Sequence, residues 1–101
     1  MAIAEISVVP LGTKTPSVSR YVARAVRVLQ AEEDVKYEAT AMGTIVEADL
    51  GRILAVVRKM HEAAFGEGVA RVVTTIKIDD RRDEARSMRD KLASLSRELQ
   101  A

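Results

Sequence analysis

The chain has no cysteine and no tryptophan, and its aromatic residues are Tyr21, Tyr37 and Phe65 alone. Without cysteine there is no disulfide and no thiolate nucleophile, a composition that fits a reducing compartment. Aromatics are 3% of residues while hydrophobic residues are 48%, so the core must be built from Val, Ile, Leu, Met and Ala. Charge of one sign is missing too: sixteen basic residues face fifteen acidic ones, a formal net charge of +1. That leaves no electrostatic footprint for nucleic acid. No apolar run approaches the roughly 20 residues of a membrane span. The opening Met-Ala-Ile-Ala-Glu-Ile lacks the basic n-region of a signal peptide. A soluble cytoplasmic protein without nucleic-acid or membrane partners is expected. Its 101 residues suit one domain, 1–101, large enough for a core yet marginal on its own.

What is present is strongest between Gly68 and Asp83. Val72, Thr74, Ile76 and Ile78 alternate with Arg71, Val73, Thr75, Lys77 and Asp79, the period of a strand with one apolar face. Upstream, Ile3 to Val9 alternates in the same way, and Pro10-Leu11-Gly12-Thr13 is expected to end that strand. Thr15-Pro16 opens a helix as N-cap and first-turn proline. Val18, Val22, Ala25 and Leu29, with Tyr21 and Val28, form its apolar stripe. Ser17, Arg20, Arg24 and Arg27 share another face, either solvated or poised for an anion or acidic partner. Glu32, Glu33 and Asp34 form a loop before a strand at Val35 to Thr40. Ala41-Met42-Gly43 then connects to a third strand through Val46. Asp49 is a fair N-cap for a second helix, with Leu50, Ile53, Leu54, Val57, Met60, His61 and Ala64 as its buried stripe. Gly66 and Gly68 bracket its exit.

Strand, helix, strand, strand, helix, strand is the order of a ferredoxin-like α+β fold, with an antiparallel four-stranded sheet and both helices on one face. Right-handed crossovers put the first and third strands in the middle. The other face is mixed: Val9 and Val73 lie among Glu5, Ser7, Thr75 and Lys77, which points to burial against another subunit. An appended helix, residues 83–100, adds a narrow seam of Ala85, Met88, Leu92, Leu95 and Leu99. Asp83 is placed to cap it, and Arg86 with Asp90 is an i,i+4 pair. The seam folds back on its own sheet or, the favoured reading, reaches a neighbouring subunit.

Catalytic constellations are scarce. His61 is the only histidine, and with Glu62 it makes no His-Glu-x-x-His motif; a hydrogen-bonded boundary residue is expected there. Asp79, Asp80 and Asp83 are interrupted by arginines and lack a loop glycine, so paired carboxylates are expected rather than a metal site. No glycine-rich phosphate loop precedes a helix, and no nucleophile–base set can be assembled. Glu47 is more informative, since a carboxylate in a central strand is costly unless solvated, paired or offered to a ligand. It either pairs across an interface, with Lys77 or Arg71, or receives a ligand's donors or positive charge. Thr44, Ser7 and Thr75 could add hydroxyls around it.

Four stretches carry a resemblance: Pro10-Leu11-Gly12; Thr15-Pro16-Ser17-Val18-Ser19 with Tyr21-Val22; Met42-Gly43-Thr44 with Glu47; and Thr74 through Asp83. Together they resemble the small thiamine-binding protein family of bacteria and archaea, related to the YkoF-like proteins, over nearly the whole chain. Ala48 stands where the resemblance implies glycine. The resemblance implies a ferredoxin-like subunit, a homotetramer formed through the sheets, and non-enzymatic binding of thiamine or its hydroxymethylpyrimidine part, with no cofactor or metal. Ser7, Ser17, Met42, Thr44, Glu47, Thr75 and Lys77 are the expected ligand-binding residues within the matching motifs. Two other readings stay open. One is a structural or regulatory oligomer whose pocket is vestigial or takes a simple anion; the other is an enzyme acting on a thiamine precursor.

Overall fold

The alternation of apolar residues with polar ones sorts the chain into two sides of one sheet. In the computed structural model, which describes residues 1–12, 19–66, 68–83 and 88–100, the elements in order are β1 (Ala2–Leu11), α1 (Ser19–Gln30), β2 (Lys36–Ala39), β3 (Thr44–Ala48), α2 (Leu50–Ala63), β4 (Arg71–Asp79) and α3 (Met88–Gln100). The strands form an antiparallel sheet in the order β2-β3-β1-β4. This is the expected α+β architecture, with β1 and β3 central and an additional C-terminal helix.

Register decides which side chains share a face. Ala4 pairs with Val46 and Ile78, and Ile6 with Thr44 and Ile76; residues directly opposite point to the same side. That side is covered by α1 and α2. Its core joins Ala2, Ala4, Ile6 and Val8 of β1 and Val46 of β3 to Ala25 and Leu29 of α1 and Ile53, Val56, Val57 and Met60 of α2. Ile53, Val46 and Val56 are completely buried, each burial contributing about 1.5–3 kcal/mol. Ile3, Glu5, Ser7 and Val9 belong to the opposite, open side, beside Thr75, Lys77 and Asp79.

Several expectations are corrected. Pro10 does not end β1, which runs on to Leu11. Beyond Ile6 only β4 flanks β1, so Pro10 occupies an effectively edge segment, where a missing N–H is tolerated. In α2 the buried position is Val56, while Leu54 is 49% exposed. Val22 of α1 is also partly exposed. β2 is shorter than expected, and β3 extends through Ala48. Asp49 does sit at the N-cap of α2, but its side chain makes no capping bond; its carbonyl accepts from the Ile53 N–H at 3.0 Å. Gly68 adopts φ 79°, the left-handed turn that returns the chain to β4. The Thr15-Pro16 cap, Val18, Ala85 and Arg86 lie outside the described residues.

Two sets of ion pairs brace the connections. The Arg52 guanidinium on α2 reaches two of the three carboxylates of the α1–β2 loop, Asp34 at 2.8 Å and Glu32 at 2.5 Å, and Lys59 adds a 2.6 Å contact to Glu32. Lys59 and then Arg52 hold Glu32 below the usual carboxylate range, and Arg52 does the same for Asp34. After β4, Arg82 pairs with Asp80 at 3.0 Å and Arg81 with Asp83 at 2.8 Å. The expected paired carboxylates are therefore present, with Asp83 serving Arg81. Lys91 ties α3 to Asp79. Leu92, Leu95 and Leu99 remain 63%, 56% and 77% exposed, so the seam of α3 does not fold back on its own sheet. Among the described residues no helix is long and apolar enough to cross a membrane.

Candidate functional site

The β2–β3 turn is built around Thr40 and Gly43. The Thr40 N–H and its hydroxyl both donate to the Gly43 carbonyl at 2.8 Å, while the Met42 and Gly43 N–H groups donate to the Thr40 hydroxyl oxygen at 3.3 and 3.2 Å. Gly43 is tight against β1: a Cβ there would lie 3.0 Å from the Ile6 carbonyl oxygen. The turn is thereby pinned against the middle of β1, and it leaves Met42 82% exposed.

Beside this turn lies a cavity of about 300 Å³, bounded by β1, the β2–β3 turn and α1. Its walls include Val8, Val22, Ala25, Val26 and Met60, and the polar residues Ser7, Thr40 and Thr44 are also among its lining. Among the described residues, none that lines it carries an ionisable side chain. A largely apolar concavity with a few polar groups, at the lower end of the about 300–1,000 Å³ common for ligand sites, is suited to a small, flat, uncharged ring.

Of the seven expected residues, the cavity gathers Ser7, Met42 and Thr44. Glu47, Thr75 and Lys77 are elsewhere, and Ser17 lies outside the described residues. Thr75 pairs with Ser7 in the ladder, and Lys77 with Glu5, both on the open side. Lys77 there borders a second concavity of about 220 Å³ together with Ile3, Ile45, Asp79 and Lys91. Thr40, Ala25 and Val26 were not anticipated. Thr40 had a legible signal, because a threonine three residues before a glycine is a common turn device. The two α1 residues had none, since their role depends on how the helix lies across the sheet.

Glu47 is 5% exposed, and its side chain has no hydrogen-bond or ion-pair partner among the described residues. It pairs in the ladder with Ile3 and Lys36, so it faces the open side, whereas Thr44 faces the helices. Lys77 is not its neighbour; β1 runs between β3 and β4. No fully buried side-chain polar atom in the described residues lacks a partner, so the carboxylate tip keeps a sliver of access. Ala48 is buried opposite Ala2 on the helix side, away from the Glu47 carboxylate. His61 accepts or donates a 2.6 Å bond with the Thr74 hydroxyl and stands edge-on to Phe65. It is the hydrogen-bonded boundary histidine expected from the sequence.

Known proteins extend this description. A family model described as thiamine-binding protein matches residues 4–96. The UPF0045 protein YqgV of Bacillus subtilis is 46% identical over 103 residues, covering 99% of both chains. A UPF0045 protein of Methanothermobacter thermautotrophicus is 47% identical, covering 98% of this chain and 100% of the relative. The crystal structure of the MJ1052 protein of Methanocaldococcus jannaschii superposes with a TM-score of 0.86 at 40% identity, over 94% of this chain and 95% of that one. On the strength of a match along almost its full length, this chain belongs to the thiamine-binding protein family.

Proposed function

We propose that this protein binds thiamine, or its hydroxymethylpyrimidine part, without transforming it, and does so as a homo-oligomer. The observation that carries the reading is the uncharged cavity that gathers Ser7, Met42 and Thr44 from two separate stretches of sequence. An aminopyrimidine is a flat neutral ring with donors and acceptors along its edge. Val8, Val22, Val26 and Met60 suit its faces, and the Thr44 hydroxyl, on the helix side of the sheet, suits its edge. Among the described residues the lining offers a simple anion no cationic side chain. A purely structural oligomer would account for the exposed α3 seam but not for the cavity. Assembly as a tetramer is supported by that seam and by the exposed Val9 and Val73 on the open face. Ser17 is retained as a candidate on its family motif, and Thr75 and Lys77 are assigned to the open face.

Calorimetric titration with thiamine, thiamine diphosphate, free hydroxymethylpyrimidine and inorganic phosphate tests this. Saturable binding of the three pyrimidines, no heat from phosphate, and unchanged ligand masses after incubation are expected. Binding of phosphate alone, or conversion of any ligand, would overturn the proposal. Ala41→Trp, placed at an exposed position of the turn that lines the cavity, should abolish binding by filling the mouth.

A further inference from the structure

The two flanks of α2 meet different neighbours. One flank carries Arg52 and Lys59, which reach across to the α1–β2 loop. The other faces β4, because His61 there shares a 2.6 Å bond with the Thr74 hydroxyl. Leu54 and Phe65 fall on that same flank, seven residues before His61 and four after it, which is helical spacing. Beside them, on the helix side of edge strand β4, stand Ile76 and Ile78. Leu54, Phe65, Ile76 and Ile78 are each between 37% and 49% exposed. Together they make an apolar ledge along the β4 edge that α1 and α2 leave uncovered. The ledge is separate from the cavity, since none of these residues lines it, and it is on the side of the sheet away from the open face. We infer that this ledge receives the leucine seam of α3 from a second copy of this chain.

The occupant is argued from length, charge and area. Leu92, Leu95 and Leu99 form the apolar side of a helix that its own chain leaves uncovered. Leu92 and Leu99 are seven residues apart, as are Leu54 and His61, about 10 Å along each helix. Seam and ledge therefore match in length. A chain's own α3 is held away from its own ledge, because Lys91 ties the start of that helix to Asp79, a residue of the open face. The rims are complementary as well. Arg89 stands beside the seam, three residues before Leu92, and has no ion-pair partner among the described residues. Glu62 rims the ledge next to His61, where it pairs with Arg58 of its own helix. Laid antiparallel to α2, the seam brings Arg89 to the Glu62 end and Leu99 to the Leu54 end. Two such dockings about a two-fold axis would cover on the order of 1,200 Å² of surface, the lower limit of stable specific interfaces.

The inference rests on the reading of this protein as a homo-oligomer, and light scattering separates the two. Leu54→Glu with Ile78→Glu disarms the ledge, and Leu92→Glu with Leu95→Glu disarms the seam. All four positions are exposed in the single chain, so circular dichroism should show an unchanged fold. Either double variant should lower the mass at micromolar concentration about twofold, as loss of one two-fold interface requires. Because the chain has no cysteine, cross-linking then reads the position directly. An Ile76→Cys chain and a Leu95→Cys chain with different tags, mixed and mildly oxidised, should give a disulfide-linked pair containing one of each. Neither chain oxidised alone should give a linked pair. A monomeric unaltered chain would overturn both readings. A stable oligomer whose mass neither double variant changes would overturn this one alone. So would a Leu95→Cys chain that links to itself, since that result sets seam against seam.

Discussion

The two faces of the sheet are made from the same strands but differ in how completely they are finished. On the helix side, Ala4, Ile6 and Val46 meet Leu29, Ile53 and Met60, and all are buried within the single chain. On the open side, Val9 and Val73 stay 38% and 44% exposed, and the leucines of α3 are more exposed still. Polar chemistry differs in the same way. The carboxylates near the helix layer, Glu32 and Asp34, have cationic partners within the chain, whereas buried Glu47 has no side-chain partner among the described residues. At β1 and β3 the helix face is closed by intrachain packing, although Ile76 and Ile78 at its β4 edge stay 37% and 41% exposed; the open face carries apolar and ionic groups that acquire a purpose only when something covers them.

The largest effect should come from breaking the finished face. Ile53 is wholly buried between α2 and the sheet, so Ile53→Ala should cost about 2–5 kcal/mol, measured as a lower urea midpoint at unchanged slope. The same truncation at Leu95, 56% exposed on α3, should leave the stability of the isolated subunit almost unchanged. An intermediate effect is expected from the unfinished side. Removing the chain after Asp83 deletes the leucine seam and the Lys91 tie to Asp79, and should lower the mass seen by light scattering and make melting concentration-dependent. An unchanged mass would show that α3 plays no part in assembly and would narrow the comparison to the sheet alone.

The smallest effect concerns the exposed ion pairs. Glu32 and Asp34 titrate lower in the folded chain than their ordinary values, so the unfolded chain binds their protons first. Their stabilisation is complete above the ordinary carboxylate pKa and disappears as pH falls through the lowered folded values. Arg52→Ala should lower the melting temperature by a few degrees at most at neutral pH, because exposed pairs are screened. It should also flatten the acid-side decline, and the two melting curves should converge once both carboxyls are protonated. A constant difference between them down to strong acid would mean that Arg52 acts through packing instead.

Much of this was legible along the chain. The strict alternation of β1 and β4 assigned residues to faces, because a period of two leaves each side chain only two directions. The spacing of Leu92, Leu95 and Leu99 likewise marked a seam needing a partner. Errors arose where a local signal met a neighbour it could not anticipate. Pro10 reads as a strand breaker, but the missing third-strand partner at that level makes it harmless. Leu54 reads as core, but its turn of α2 faces outward and Val56 takes the buried place.

The candidate site divides in the same way. Residue type and motif sufficed to single out Thr44, Ser7 and Glu47, since hydroxyls and a carboxylate in central strands carry a desolvation cost that calls for an explanation. Thr44 and Glu47, an odd number of residues apart on one strand, cannot face the same side, but which of them Ser7 joins is not a property of spacing. It depends on strand order, ladder register and the placement of α1 over the sheet, all fixed by contacts between residues far apart in sequence. The alternation of side chains therefore determined by itself that there would be two faces. The same alternation put Thr44 and Glu47, three residues apart on one strand, on opposite faces; only the packing of α1 and α2 decided that the Thr44 side would carry the cavity.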